Sequence, residues 1–283
     1  MRSPLLLCAA VILPQSVTPV AAFYIPFLSS FFPTDKDPLA TARGPCPGLN
    51  ALANHGYINR TGRYINFNEA INGCFLGLGT THEVCGLSAH NVINLDPKDA
   101  YFDLEHLSRH KMPIEHDVSL SREDIALGNN NVFNPKIWAS TMVELSKSNY
   151  VTAESLGKAR ARRVDEQRRK NPKLDYDDMA AELGGVEAAM LLTSLGAGYD
   201  HKPKLAWVRC LFEQERLPTH LGWRPFPASN NLLTTIGVAT NALKAQYNVP
   251  FKLKEKLYGP VTGQKQYLDA VGKIDSEIHG NYA

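Results

Sequence analysis

Two consecutive helix-forming segments, residues 152 to 169 and 179 to 195, constrain the fold of this chain more than anything else in it. Thr152 to Arg169 consists of strong helix formers and Asn171-Pro172 stops it; an apolar segment then runs from about Met179 to Leu195 and ends at Gly196, where glycine makes a left-handed cap easy. Helical spacing recurs at Leu49, Leu52, Ala53 and Tyr57, and at Val132/Phe133, Ile137, Met142 and Leu145 with a start at Asn134-Pro135. Strand signals are scarce, and Pro203, Pro218 and Pro225 to Pro227 break up the remainder. No repeat, linker or composition shift marks a second domain. A chain of 283 residues can bury a sizeable core without obligatory disulfides. The expectation is all-α, a single mostly helical domain.

The first helix carries Lys158, Arg160, Arg162, Arg163, Arg168, Arg169 and Lys170. Aromatics do not interleave with this run and Asp165 and Glu166 interrupt it, so it reads as a solvated helix face. A formal net charge of +2 gives no reason to expect nucleic acid as a partner. Segment 205 to 212 is amphipathic, and the stretch after about Asn241, with Lys252 to Lys256, reads as surface or tail.

The N-terminus reads as a secretory signal. Arg2 precedes the apolar run Leu5 to Leu13, then Pro14, Pro19 and Val20-Ala21-Ala22, which places cleavage near Ala22 and the mature domain at 23–283. Pro14, Pro19 and Pro26 interrupt the apolar residues short of a spanning length, so no stable membrane anchor is expected. The sequon Asn59-Arg60-Thr61 fits glycosylation on that route. Five cysteines are too few for a disulfide scaffold at this length and odd in number, so at least one must do something other than pair internally.

Several catalytic patterns are incomplete. His82-Glu83-Val84-Cys85-Gly86 lacks the second histidine of a zinc-protease helix, Gly86 to His90 lacks the closing glycine of a nucleophile elbow, and Gly77-Leu78-Gly79 lacks a phosphate-loop lysine. His106 and His110 are helical neighbours without a third ligand nearby, and no Cys-x-x-Cys exists for structural zinc. Cys46 stands apart. It sits between Pro45 and Pro47, and proline at the first helical position puts the sulfur at a helix N-cap, where free N–H groups and the positive helix end favour a thiolate. Spacing alone leaves metal thiolate and disulfide both open.

Pro45-Cys46-Pro47, then Asn50 to Tyr57, then Glu115-His116-Asp117-Val118-Ser119 with Arg122 and Asp124, resemble the fungal-type haem-thiolate peroxidases, the chloroperoxidase and unspecific peroxygenase family. Asn171-Pro172, Gly185-Val186-Glu187-Ala188-Ala189, Glu215-Arg216-Leu217-Pro218 and Leu221-Gly222-Trp223 resemble its later landmarks in the same order, so the likeness covers about residues 44–240.

The resemblance implies a helical fold enclosing haem b, with Cys46 as the proximal iron ligand whose thiolate favours O–O cleavage of bound peroxide. It implies that Glu187 moves the proton which that cleavage requires, and that His116 pairs with it as in the short-chain branch; the long branch sets an arginine beside the glutamate, and this sequence has none close before Glu187. Glu115, the backbone carbonyl of His116 and Ser119 resemble the family's magnesium or manganese site beside a haem propionate. Asp117, Arg122 and Asp124 would be supporting residues. The implied activity is that of a secreted, hydrogen peroxide-dependent peroxygenase acting on C–H or C=C bonds of small apolar or aromatic substrates, with one-electron peroxidase side activity. The alternatives are a chloroperoxidase-like halogenating enzyme and a secreted haem-binding protein without turnover. With Cys8 in the signal and Cys46 on iron, Cys74, Cys85 and Cys210 remain as buried thiols, as a disulfide plus a thiol, or as a route from monomer to disulfide-linked homodimer.

Overall fold

The computed structural model describes residues 41–93, 101–110, 114–226 and 231–247. The signal segment 1–22, with Cys8, and the tail beyond residue 247 lie outside them. Eight α-helices follow in order among the described residues: α1 (Pro47–His55), α2 (Phe67–Leu78), α3 (His82–Ile93), α4 (Pro135–Leu145), α5 (Ala153–Lys170), α6 (Asp178–Leu195), α7 (Leu205–Gln214) and α8 (Leu232–Ala245). Their sheet structure is limited to two antiparallel two-residue strands, β1 (Ile65–Asn66) and β2 (Tyr101–Phe102), with Ile65 opposite Phe102. The architecture is all-α, as the periodicity led us to expect.

Local chemistry sets the helix ends. Asn134 caps α4, accepting from Lys136 and Ile137 ahead of Pro135, and Thr152 and Ser155 form a reciprocal capping box at α5. Asp177 caps α6, accepting from Ala180. Helix α1 ends at Gly56 in the left-handed conformation (φ 76°), whose N–H returns to the carbonyls of Ala53 and Leu52. The expected left-handed cap at Gly196 is not formed: its φ is −97°. Glycine is required there for closeness instead, because a Cβ would stand 2.5 Å from the Leu192 carbonyl oxygen and 2.7 Å from the backbone of His201.

Helices α5, α6 and α8 pack on one another, and so do α2 and α3. Two glycines permit the first arrangement: a Cβ at Gly157 would stand 2.2 Å from the Ala242 carbonyl oxygen, and one at Gly185 would stand 2.8 Å from Leu243 Cγ. Residues 241–247 are therefore no surface tail. Ala242, Leu243 and Gln246 are buried, since the apolar face of α8 covers the other two helices. Trp138 stacks on Phe212 of α7 with ring centroids 4.6 Å apart, and Trp207 and Trp223 are fully buried. Among the described residues no helix is long and apolar enough to cross a membrane.

Candidate active site

Cys46 is the N-cap of α1 in an extended conformation (φ −84°, ψ 108°), with Pro47 opening the helix. The N–H groups of Gly48 and Leu49 lie close enough to Sγ to favour its anion, although neither completes a capping hydrogen bond. The expected net drop in the thiol pKa is not found. Burial is the largest influence and pushes it up; the two N–H groups oppose that, while the Glu187 carboxylate and Cys74 add to the rise. A bound metal ion would take the thiolate directly, whatever the pKa of the free thiol.

Buried polar side chains hold α1 in place. Asn50 donates through Nδ2 to Glu215 Oε1 (2.8 Å) and to the Gly44 carbonyl (2.8 Å), and Asn54 donates to the Glu215 carbonyl (2.9 Å). The same Glu215 oxygen accepts from Arg122 Nη2 at 2.9 Å, and His55 Nε2 accepts from the Leu217 N–H at 3.2 Å. The Asn50–His55 and Glu215–Leu217 landmarks are thus two halves of one network behind Cys46.

Glu187 lies in the middle of α6. Its Oε2 accepts from Arg160 Nη2 at 2.8 Å, and its Oε1 is 3.4 Å from His116 Nε2, an ion-pair contact looser than a hydrogen bond. Burial alone would raise the carboxyl pKa, but His116 and Arg160 outweigh it and bring it to about 2. Protein closely surrounds this carboxylate, yet 54% of the side chain is accessible, so that surface faces a cleft within the fold. Leu183, Val186, Met190 and Leu191, at helical spacing around Glu187, are accessible in part. A carboxylate set among apolar residues thus has both a cleft and specific partners.

His116 is presented by a strained turn. Its Nδ1 is 2.6 Å from the Asp117 carbonyl oxygen, and Val118 has φ 69°, a left-handed conformation that a β-branched residue adopts only under constraint. Asp124 Oδ1 accepts from the Val118 N–H (2.8 Å), Asp124 Oδ2 accepts from Asn171 Nδ2 (3.0 Å), and Asp117 Oδ2 accepts from the Asp175 N–H (3.0 Å). Asp117 and Asp124 are buried and serve this scaffold, while Arg122, also buried, serves the Glu215 network.

Arg160 and Arg163 overturn the reading of the α5 basic run as a solvated face. Both are buried: Arg160 donates through Nη1 to the Val118 carbonyl (2.7 Å) and through Nη2 to Glu187, while Arg163 donates to the Ser119 carbonyl (3.2 Å) and pairs with Glu166 (2.6 Å). Lys158, Arg162, Arg168, Arg169 and Lys170 remain exposed. The sequence carried a usable signal, because Arg160 and Arg163 share the helical stripe of Leu156, Val164 and Gln167, which faces inward.

Glu115 and Ser119 offer hard oxygen donors, but both are engaged. Glu115 Oε2 is 2.8 Å from His110 Nδ1 and its Oε1 accepts from Asn130 (2.9 Å), while Ser119 Oγ accepts from the N–H groups of Ser121 and Arg122. Each Glu115 oxygen meets one partner and keeps a second lone pair, so a cation could share the carboxylate with His110 and Asn130. His110 is therefore the partner of Glu115 rather than of His106, which lies with Asp103 and Glu105 beside Arg63.

A sulfur at a helix start and an ionised carboxylate, both deep in the fold and both accessible, suit a haem iron bound on the sulfur side. An all-helical fold with such a pair is what the resemblance to the haem-thiolate peroxidases implies. The chain belongs to the chloroperoxidase family: the family model described as Peroxidase, family 2 matches residues 31–227. It is similar to the chloroperoxidase of Leptoxyphium fumago, 25% identical over 280 residues that cover 89% of this chain and 74% of that one. It is also similar to the aromatic peroxygenases of Coprinellus radians (33% over 155 residues, 47% of this chain and 59% of that one) and Cyclocybe aegerita (27% over 213 residues, 66% and 56%). The chain spans a little over half the length of these two peroxygenases. The protein is an oxidoreductase acting on peroxide, and its family implies a haem with a thiolate ligand.

Proposed function

We propose that this protein is a secreted peroxygenase that uses hydrogen peroxide to oxidise C–H or C=C bonds of small apolar and aromatic substrates, with one-electron peroxidase side activity. The observation that carries this reading is the Glu187 carboxylate, held by His116 and Arg160 and accessible in a cleft beside Leu183, Val186, Met190 and Leu191. Haem b bound through Cys46 would supply the oxidising chemistry, with the thiolate donating electron density that favours O–O cleavage. Held ionised, Glu187 accepts a proton from hydrogen peroxide and returns it to the departing oxygen, which leaves as water. His116 and Arg160 keep the carboxylate charged and fixed while it does so. The apolar residues of α6 exclude water and favour uncharged substrates.

Glu115, the His116 carbonyl and Ser119 would hold a magnesium or manganese ion through the oxygen lone pairs that their hydrogen bonds leave over. Asn59 is exposed, in keeping with glycosylation on a secretory route after removal of residues 1–22. Cys74, Cys85 and Cys210 are free and buried, which favours a monomer over a disulfide-linked dimer.

The second reading is a halogenating peroxidase, favoured by the likeness to a chloroperoxidase over 89% of this chain. Halide-dependent chlorination of a reporter, measured against hydroxylation of an aromatic substrate with the same enzyme and peroxide, separates the two. Hydroxylation that proceeds without halide supports the peroxygenase; turnover only with halide overturns it.

A further inference from the structure

We infer that Arg160 is a positioning residue for Glu187, and that it locks the carboxylate to the strained turn carrying His116 so that the two act as one rigid unit. The inference rests on the acid–base reading of Glu187 and concerns what holds that residue in place. Arg160 lies on α5, 27 residues before Glu187, and is only 3% exposed. One guanidinium nitrogen donates to the Val118 carbonyl at 2.7 Å and another to Glu187 Oε2 at 2.8 Å. A planar, permanently charged fork can satisfy two acceptors in fixed directions, which an ammonium cannot.

Both ends of the link are shaped for it. Val118 is held in its φ 69° conformation by Asp124 at its N–H and by Arg160 at its carbonyl, so the turn that presents His116 is clamped on either side. On the other side, Gly184 leaves room for the guanidinium to lie across α6: a Cβ there would stand 3.0 Å from Arg160 Cζ and 3.2 Å from Nε and Nη2. His116 contacts Glu187 only at 3.4 Å, so the shorter fixed contact comes from Arg160.

The test uses the haem-loaded enzyme and two readouts: the association rate of cyanide with the ferric protein, a spectroscopic binding event in which hydrogen cyanide must give up its proton, and kcat/KM for peroxide. Arg160→Met should slow both by about 10- to 100-fold, the scale expected when a reacting group is misplaced, while the ferrous–CO band and the KM for the organic substrate stay as in wild type. Arg160→Lys should fall between the two, since it keeps the charge but cannot reach both acceptors. Gly184→Ala should also slow cyanide, by displacing the guanidinium without removing it. Cyanide association at the wild-type rate in Arg160→Met, with Glu187→Gln slow, overturns the role of Arg160 and leaves Glu187 standing. A wild-type rate in Glu187→Gln instead removes the acid–base reading and this inference with it. Should Arg160→Met fail to give a ferrous–CO band, the other two variants decide: wild-type rates in both overturn the inference, and graded losses support it.

Discussion

Asn50 and Glu215, 165 residues apart, meet in a buried hydrogen bond of 2.8 Å, and the same carboxylate oxygen takes Arg122 at 2.9 Å. This joins the first turn of the helix that begins at Cys46 to the segment after α7. Both charges are almost wholly enclosed, so removing one strands the other. Glu215→Ala should cost about 3–5 kcal/mol of unfolding free energy in a urea titration, the usual scale for breaking a buried ion pair. A loss comparable to that of an exposed pair would show that Arg122 finds another partner.

Cys46→Ala should abolish the thiolate-type ferrous–CO band of the purified protein, and a band that survives would remove Cys46 as the iron ligand. Glu187→Gln should keep that band and lose peroxide-driven turnover by about 100-fold or more, in line with the contribution of a positioned proton carrier.

His55 makes stability pH-dependent. Burial first, then Arg216, Arg60 and His220, bring its pKa down to about 4, and its Nε2 accepts the Leu217 N–H as a neutral ring. Between the ordinary histidine pKa and that lowered value, the unfolded chain binds a proton that the folded one refuses. Stability is therefore full at neutral pH and falls as the pH drops through this window, by about 2 kcal/mol at pH 5 from this residue. Thermal melts at pH 7 and pH 5 would measure the loss, and His55→Gln should flatten it.

Gly157→Ala should destabilise the protein by about 1–3 kcal/mol or more, because the new Cβ meets the backbone oxygen of Ala242, which cannot rotate away. Differential scanning calorimetry would register a lower Tm. An alanine tolerated without loss would mean that α8 can shift outward.

Burial pushes the Cys210 thiol up to about 11 and the Cys85 thiol well above its ordinary value. Cys74, Cys85 and Cys210 are all buried, so alkylation at neutral pH should leave the three unmodified in the folded protein and label them after unfolding, as read by mass spectrometry. Failure to label Cys74 and Cys85 together in the unfolded, unreduced protein would reveal a disulfide between them.

Helices α4, α5 and α6 were legible because caps and apolar periodicity are local: Asn134, Thr152 and Asp177 each stop the chain from extending the helix backwards. Cys46 was legible as an N-cap for the same reason, yet its acid–base behaviour was not, because burial depends on the packing of helices distant in sequence. His116 was foreseen as a partner of Glu187 and stands beside it, but the second partner was missed because Arg160 reaches it from another helix and is anchored on a carbonyl, Val118, whose position no side-chain pattern records. A basic run normally signals solvent, and only the register of Arg160 with Leu156 and Val164 hinted otherwise. Gly196 was chosen correctly as the end of α6 but for a different physical need, closeness rather than backbone handedness.

Helix α8 spans the backs of α5 and α6, the two helices that supply Arg160 and Glu187. Its last buried contacts come from Gln246, whose Nε2 reaches the Tyr176 hydroxyl at 2.5 Å. For protein engineering this sets a practical border. Fusions or C-terminal trimming must spare α8 and Gln246, because cuts inside this helix would loosen the chemistry from a distance, without touching any residue that meets peroxide.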